Sequence, residues 1–245
     1  MKKISCLLVV VVCLVLSANV FAEDAKKVSG SLDANYTYDT RDMNRLTLDT
    51  LIFFPHGISY YNFFHLNSNM NGDNDNLEIT NFYHEHDIWW NFYKKLPLDA
   101  VFQWQVGQGG ANDNARFGFR WRISDTPIVE KLCKKINLFL TTQLHALQTD
   151  FHNSPGWGFS FEHFWKMSVL PKLLDNRVYI AGFMDHNVNY GSWTKLNGDN
   201  HAIVTETQLG VRTIGNLNAI SEFRYSDYDV DHMGVAFGLE YIVNF

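Results

Sequence analysis

The sequence predicts an all-β fold: one transmembrane, antiparallel, up-and-down β-barrel of about twelve strands, with ten as the alternative count. Three observations predict it. The chain opens on a segment of the export-signal kind, alternates polar and apolar residues at period two to its last residue, and carries an aromatic surplus. It has 19 Phe, 11 Tyr and 7 Trp among 245 residues, while its mean hydropathy is slightly polar. A soluble core more often draws that bulk from Leu, Ile and Val, so the surplus fits a protein whose two faces meet different solvents. Lys and Arg number 20 against 26 Asp and Glu, a net charge of −6. That mild acidity argues against the basic face of a nucleic-acid binder. With 16 Gly and 5 Pro, neither a collagen-like nor a low-complexity chain fits.

The N-terminal segment comes first. Lys2 and Lys3 form a charged start, Leu7 to Leu16 an apolar run, and Val20-Phe21-Ala22 a small-residue cleavage pattern. The run is shorter than the ~20 residues that a spanning helix needs. Residues 1–22 are therefore expected to be a cleaved signal peptide and residues 23–245 one domain. Losing Lys2 and Lys3 takes the net charge from −6 to −8, and losing Cys6 and Cys13 leaves Cys133 as the one cysteine. No internal disulfide can then hold the exported chain together, and no later segment is apolar enough for a transmembrane helix. A closed sheet remains, or a soluble exported fold.

The strands follow in order. The first two, near 31–40 and 46–54, carry Asp33, Asp39 and Asp49 on the face read as polar; Pro55-His56-Gly57 turns the chain into 58–67. A strand near 77–93 ends in Trp89, Trp90, Phe92 and Tyr93, expected as an aromatic girdle, with Tyr225 and Tyr228 in another. In 98–106, Ala100, Phe102, Trp104 and Val106 face away from Gln103 and Gln105. In 115–124, Ala115, Phe117, Phe119, Trp121 and Ile123 alternate with Arg116, Gly118, Arg120 and Arg122. Residues 124–136 form an untidy connection, with a short helix over 129–135 carrying Cys133. In 137–148, Leu138, Leu140, Thr142, Leu144 and Ala146 alternate with Asn137, Thr141, Gln143 and His145. In 157–168, Trp157, Phe159, Phe161 and Trp165 oppose Gly158, Ser160, Glu162 and Lys166. Strands near 177–188 and 202–213 precede 217–227, where Leu217, Ala219, Phe223 and Tyr225 oppose Asn218, Glu222 and Arg224. Connections 70–76, 107–114, 149–156, 189–200 and 227–232 are rich in Asn, Asp and Gly and are expected outside; 55–57, 94–97, 169–176 and 214–216 are expected in the periplasm.

The last strand, 233–245, is the most telling. Val235, Phe237, Leu239, Tyr241, Val243 and Phe245 share one face, while Ala236, Gly238, Glu240 and Asn244 share the other, with Ile242 the exception. It resembles the terminal strand of Gram-negative outer-membrane barrels, whose closing Phe and alternating apolar residues are read by the barrel-insertion machinery. The resemblance implies an assembly signal in Tyr241, Val243 and Phe245, outer-membrane lipid and lipopolysaccharide as surroundings, and location in a Gram-negative outer membrane. A water-soluble sandwich would also alternate; the export signal, the terminal Phe and the aromatic surplus favour the barrel.

With the apolar face in lipid, the other face lines the interior. It holds Asp33, Asp39, Asp49, Glu85, Asp87, Glu162, Glu206, Glu222 and Glu240, opposed by Arg116, Arg120, Arg122, Lys166, Arg212 and Arg224. The Arg116/Arg120/Arg122 row covers roughly 20 Å of one strand. Facing Glu85, Asp87, Glu206 and Glu222, it is expected to polarise a narrow pore and favour small dipolar or weakly anionic solutes. The alternative is that these charges pair and fill the barrel. Twelve strands stand between filled eight-stranded and open sixteen-stranded barrels. The size, strand number and terminal strand are similar to the nucleoside-specific outer-membrane channel family, which implies passive passage of small polar, nucleoside-like solutes. No internal motif allows its binding residues to be assigned here. No cofactor, metal or nucleic acid is expected.

An outer-membrane lipid hydrolase is the rival class. His152-Asn153-Ser154 resembles the His-x-Ser pair of outer-membrane phospholipase A and lipid A deacylase, in which the His would deprotonate the Ser. Pro155-Gly156 follows, which reads as a loop tip, and Glu162 lies on the opposite face from His163, so no third member is in place. Asp73/Asp75 and Asp229/Asp231 with His232 resemble the acidic and Asp–His pairs of omptin proteases, though such pairs in Asn/Gly-rich loops are commonly solvated turns. His84 and His86 share a strand face as a metal pair without a third ligand. The balance of the sequence favours a channel over an enzyme.

Overall fold

The computed structural model describes residues 28–69, 79–107, 114–150, 159–188, 201–229 and 231–245. The expected signal peptide, Asp73, Asp75, His152 and Ser154 lie outside these residues.

Period-two alternation places one polar and one apolar face on most strands, and such a sheet can cross lipid only if closure removes its edges. The chain does this with twelve antiparallel strands: β1 (Ser29–Asp39), β2 (Met43–Phe53), β3 (Ile58–Asn69), β4 (Asn81–Trp90), β5 (Leu98–Gly107), β6 (Asn114–Arg122), β7 (Leu138–Asp150), β8 (Phe159–Ser168), β9 (Val178–Val188), β10 (His201–Ile214), β11 (Leu217–Ser226) and β12 (Met233–Asn244). Each pairs with its neighbours in sequence, and β12 pairs with β1 to close the barrel. The expected count of twelve holds. At the seam, Gly30 and Phe245 exchange two backbone hydrogen bonds, of 2.8 and 3.0 Å, so the terminal aromatic completes the ladder. Tyr241, Val243 and Phe245 all stand exposed on the outer face.

Four local features depart from the expected pattern. The second strand begins at Met43 rather than near 46, because a tight 40–42 connection, with Asp42 in the left-handed region (φ 56°), leaves more chain for pairing. The fourth is shorter than 77–93, ending at Trp90. A helix, α1 (Glu130–Ile136), carries buried Cys133 one residue later than expected. It ends on Asn137, whose left-handed φ of 51° lets its N–H reach the carbonyls of Cys133 and Lys134. Asn137 is thus a helix cap and not the first residue of β7. Finally, the β6–β7 register shifts between Phe117 and Gly118, which face Leu147 and His145, and Ala146 is the extra residue of a bulge. Ala146 drops out of the alternation; Leu147 takes the next outward place and Gln148 the next inward one. Gly118 permits the close approach, since a Cβ there would lie 1.7 Å from the Leu144 carbonyl oxygen.

The exterior is aromatic and aliphatic, with Phe117, Phe119, Trp121, Phe237 and Leu239 all exposed. The expected girdle is corrected at Trp89: neighbouring strand residues point to opposite faces, so Trp90 faces out and Trp89 faces in, 8% exposed. Phe92 and Tyr93 lie in the β4–β5 connection, with Phe92 edge-on to Trp90 at 6.1 Å.

Candidate functional site

The inward face is polar on nearly every strand and is divided into two bonded walls. On the β4–β8 wall, Glu162 is the hub. It accepts from Arg116 Nη1 (2.7 Å), from Gln143 Nε2 (2.7 Å) and with both oxygens from Gln103 Nε2 (3.1 Å), and His145 Nδ1 lies 3.4 Å away. Arg116 also donates to Gln103 Oε1 (2.8 Å). One turn of the wall away, Asp99 takes Arg120 Nη2 (2.6 Å) on one oxygen and Arg122 on the other, and Arg122 reaches Asp125 (2.8 Å). Trp89 donates its indole N–H to Gln143 Oε1 (2.8 Å), and the Arg120 guanidinium lies 3.8 Å over its ring. Glu85 accepts from Tyr83 (2.7 Å) and Gln105 (2.5 Å).

The β10–β1 wall is built around Arg224, which bonds Asp39 (3.2 Å), Thr37 (3.0 Å) and Glu222 and pairs with Glu206 (3.1 Å). Arg45 on β2 reaches Glu206 on β10 (3.2 Å) past three intervening strands. Arg41, in the β1–β2 connection, pairs with Asp39 (2.8 Å) and with Asp229 (2.9 Å). Hydrogen bonding to the Asp39 carboxylate holds the Arg41 guanidinium above the ordinary arginine pKa. Lower on the same side, Tyr179 donates to Glu240, which also accepts from Gln208 (2.8 Å) and Asn218 (2.8 Å). The Tyr179 ring lies where Gly210 has no side chain; a Cβ there would meet it at 2.1 Å.

Between these walls the inward side chains of β3, together with Asp49 on β2, Phe164 on β8 and Phe183 and Asp185 on β9, are only partly buried, while Thr47, Ser160, Glu162 and Asn187 on the same strands are buried. Tyr61, Phe63 and His65 run along β3 with ring centroids 6.0 and 4.8 Å apart, and Phe164 and Phe183 meet at 6.5 Å on β8 and β9. In strand order these two aromatic groups are about half the barrel apart. Lys166 is exposed, its amine 4.9 Å from the Tyr179 ring centroid.

All the charges expected on the inner face occupy it, but their partners differ from expectation. The arginine row is not an open cationic strip: Arg116 and Arg120 are 2% and 8% exposed and paired with Glu162 and Asp99. Glu85 and Asp87 lie on β4, two strands from the row rather than across from it, and Glu206 and Glu222 are held by Arg45 and Arg224. Arg212 sits at the rim, donating to the Asp175 carbonyl (2.9 Å). The sequence does not single out Asp99, which lies inside the expected 98–106 strand but ahead of its apolar alternation, or Arg45, one residue before the expected 46–54 strand, or the inward aromatics of β3, which follow no polar–apolar alternation.

The other motifs that fall among the described residues find ordinary surroundings. Asp229 is bound by Arg41, and His232 Nδ1 lies 3.0 Å from the Ser226 carbonyl, so they form no Asp–His pair. His84 and His86 face outwards, bonded to Asn62 and to Tyr60 (2.7 Å) respectively. Among the described residues no group of three or more His, Cys, Asp or Glu side chains is arranged to hold a metal ion.

No protein-family model and no curated protein matches the chain. Solved structures do. The KdgM porin is 13% identical with a TM-score of 0.52, and the match covers 86% of this chain and 98% of that one. A second KdgM structure, in complex with disordered oligogalacturonate, gives 0.50 over the same shares. The NanC porin is 6% identical with a TM-score of 0.55, covering 86% of this chain and 98% of that one. At such identities the likeness is one of fold and carries no nucleoside specificity. The chain has the fold of outer-membrane porins.

Proposed function

We propose that the protein is an outer-membrane channel for passive diffusion of small polar solutes, exported by a signal peptide in residues 1–22. The observation that carries this reading is the inner face. Its side chains are mostly charged or hydrogen-bonding, yet an arc of them, Tyr61, Phe63 and His65 on β3 with Asp49 on β2, Phe164 on β8 and Phe183 and Asp185 on β9, stays partly exposed inside a closed barrel. A filled barrel would bury that arc as completely as Gln103, Gln143 and His145 are buried on the β4–β8 wall. Flat rings on two sides of the lumen, Tyr61 and Phe63 against Phe183, support passage of solutes with a planar face, nucleoside-like ones included. The fold shared with the KdgM and NanC porins agrees with a channel. The test is single-channel conductance of the refolded protein in a planar bilayer. Discrete conductance steps are expected; a folded barrel that never conducts would make it a filled structural barrel.

A further inference from the structure

The inner face contains an imbalance of charge that the pairing scheme exposes. Every inward arginine is engaged: Arg116 by Glu162, Arg120 and Arg122 by Asp99, Arg45 and Arg224 by Glu206, and Arg212 at the rim near Asp175. Six inward carboxylates, Asp33, Asp49, Glu85, Asp87, Asp185 and Glu240, have no ion pair among the described residues; Lys166 is the one inward cation in that position. The internal segments outside the described residues do not redress this, since 70–78, 108–113, 151–158 and 189–200 together hold five Asp or Glu and one Lys in sequence.

Position matters as much as number. Asp33 and Asp49 are direct partners across β1 and β2, and each has a buried oxygen with no hydrogen-bond partner among the described residues. The register then interleaves these acids with aromatic rings. Phe63 lies between Asp49 on β2 and Glu85 on β4, and Tyr61 is the partner of Asp87. A carboxylate beside a ring face attracts cations twice, through its charge and through the ring quadrupole. For an anion the same surface is repulsive, and no guanidinium is left free to bind it in two-point fashion.

We propose that the lumen selects for cations, and that its solutes are small organic cations or neutral polar molecules with a planar face rather than acidic sugars. This rests on the channel reading above. It sets the protein apart from the KdgM porin, which was solved with oligogalacturonate, a polyanion.

The test is the reversal potential of the refolded wild-type barrel under a KCl gradient, followed by the D33N/D49N and D185N variants. We expect K⁺ to be favoured over Cl⁻ by about three-fold or more, as for pores ringed by unpaired carboxylates. The D33N/D49N variant should bring the ratio towards unity. D185N, on the opposite side of the barrel, should lower it in part and serves if the double variant does not fold. Liposome swelling should show choline entering faster than galacturonate. Absence of any conductance would overturn the channel reading and this one with it. Conductance with a preference for Cl⁻, or with no preference, would overturn the cation selectivity alone.

Discussion

The Arg116–Glu162 pair offers a direct measure of whether the lumen wall is a bonded structure or a loose set of charges. Both side chains are almost fully buried, 3% and 2% exposed, and the guanidinium and carboxylate meet at 2.7 Å. Removing one member of such a pair strands a charge and costs about 3–5 kcal/mol. Here the stranded group keeps neutral partners, Gln103 and Gln143 for Glu162 and Gln103 for Arg116, so the low end applies. Arg116→Gln and Glu162→Gln should therefore each destabilise the barrel by about 3 kcal/mol. The double variant replaces two charges with two amides, which can bond each other and the same glutamines. It should cost little more than either single change, a coupling energy of about 3 kcal/mol. Urea unfolding in phospholipid vesicles, followed by tryptophan fluorescence, supplies the four free energies. Because the pair is shielded from bulk ions, the coupling should barely change with added salt. Costs that add to within about 0.5 kcal/mol would refute the bonded-wall reasoning and show the pair to be solvated.

Deleting Phe245 removes both backbone hydrogen bonds to Gly30 and the last outward aromatic. Membrane assembly should fall, read as loss of the heat-modifiable form on gels, and unchanged mobility and yield would remove the terminal strand from the assembly argument. Gly118→Val places a Cβ 1.7 Å from the Leu144 carbonyl oxygen and 2.7 Å from its carbon, both main-chain atoms, so the β6–β7 ladder must open. Its cost should reach or exceed the ~1–3 kcal/mol of ordinary overpacking, and a variant with wild-type urea resistance would contradict the bulge geometry.

Alternation made the faces legible and left the partners obscure. That Arg116, Arg120 and Arg122 share one face follows from a period of two and needs no structure. That Asp99 meets Arg120 follows from the β5–β6 register, and that Glu162 meets Arg116 follows from which strands curve together, since Glu162 lies two strands away on β8. Arg45 and Glu206 are 161 residues apart, and nothing local to either marks the other. Errors at the ends have smaller causes. Asn137 reads as a strand residue by its neighbours' alternation, yet its tolerance of the left-handed conformation makes it the helix cap. Ala146 keeps the expected parity until the Gly118 bulge shifts it, a change of phase set by the partner strand. Residue type groups Trp89 with Trp90, whereas strand parity separates them.

The seam between Gly30 and Phe245 also has a consequence for the order of events during folding. Eleven of the twelve ladders join strands that follow one another in the chain and can form as hairpins as soon as both are present. The twelfth joins Ser31 to Asn244, across nearly the whole sequence, and its loop-closure entropy is the largest in the molecule. Contacts of such long range form slowly, and here the pairing of β1 waits for the last residues of β12. Until then both strands present open edges that lipid cannot satisfy. The growing sheet therefore needs its free edges sheltered up to the final step, and a chain stopped a few residues short remains an open sheet that no rearrangement of the other eleven ladders can heal.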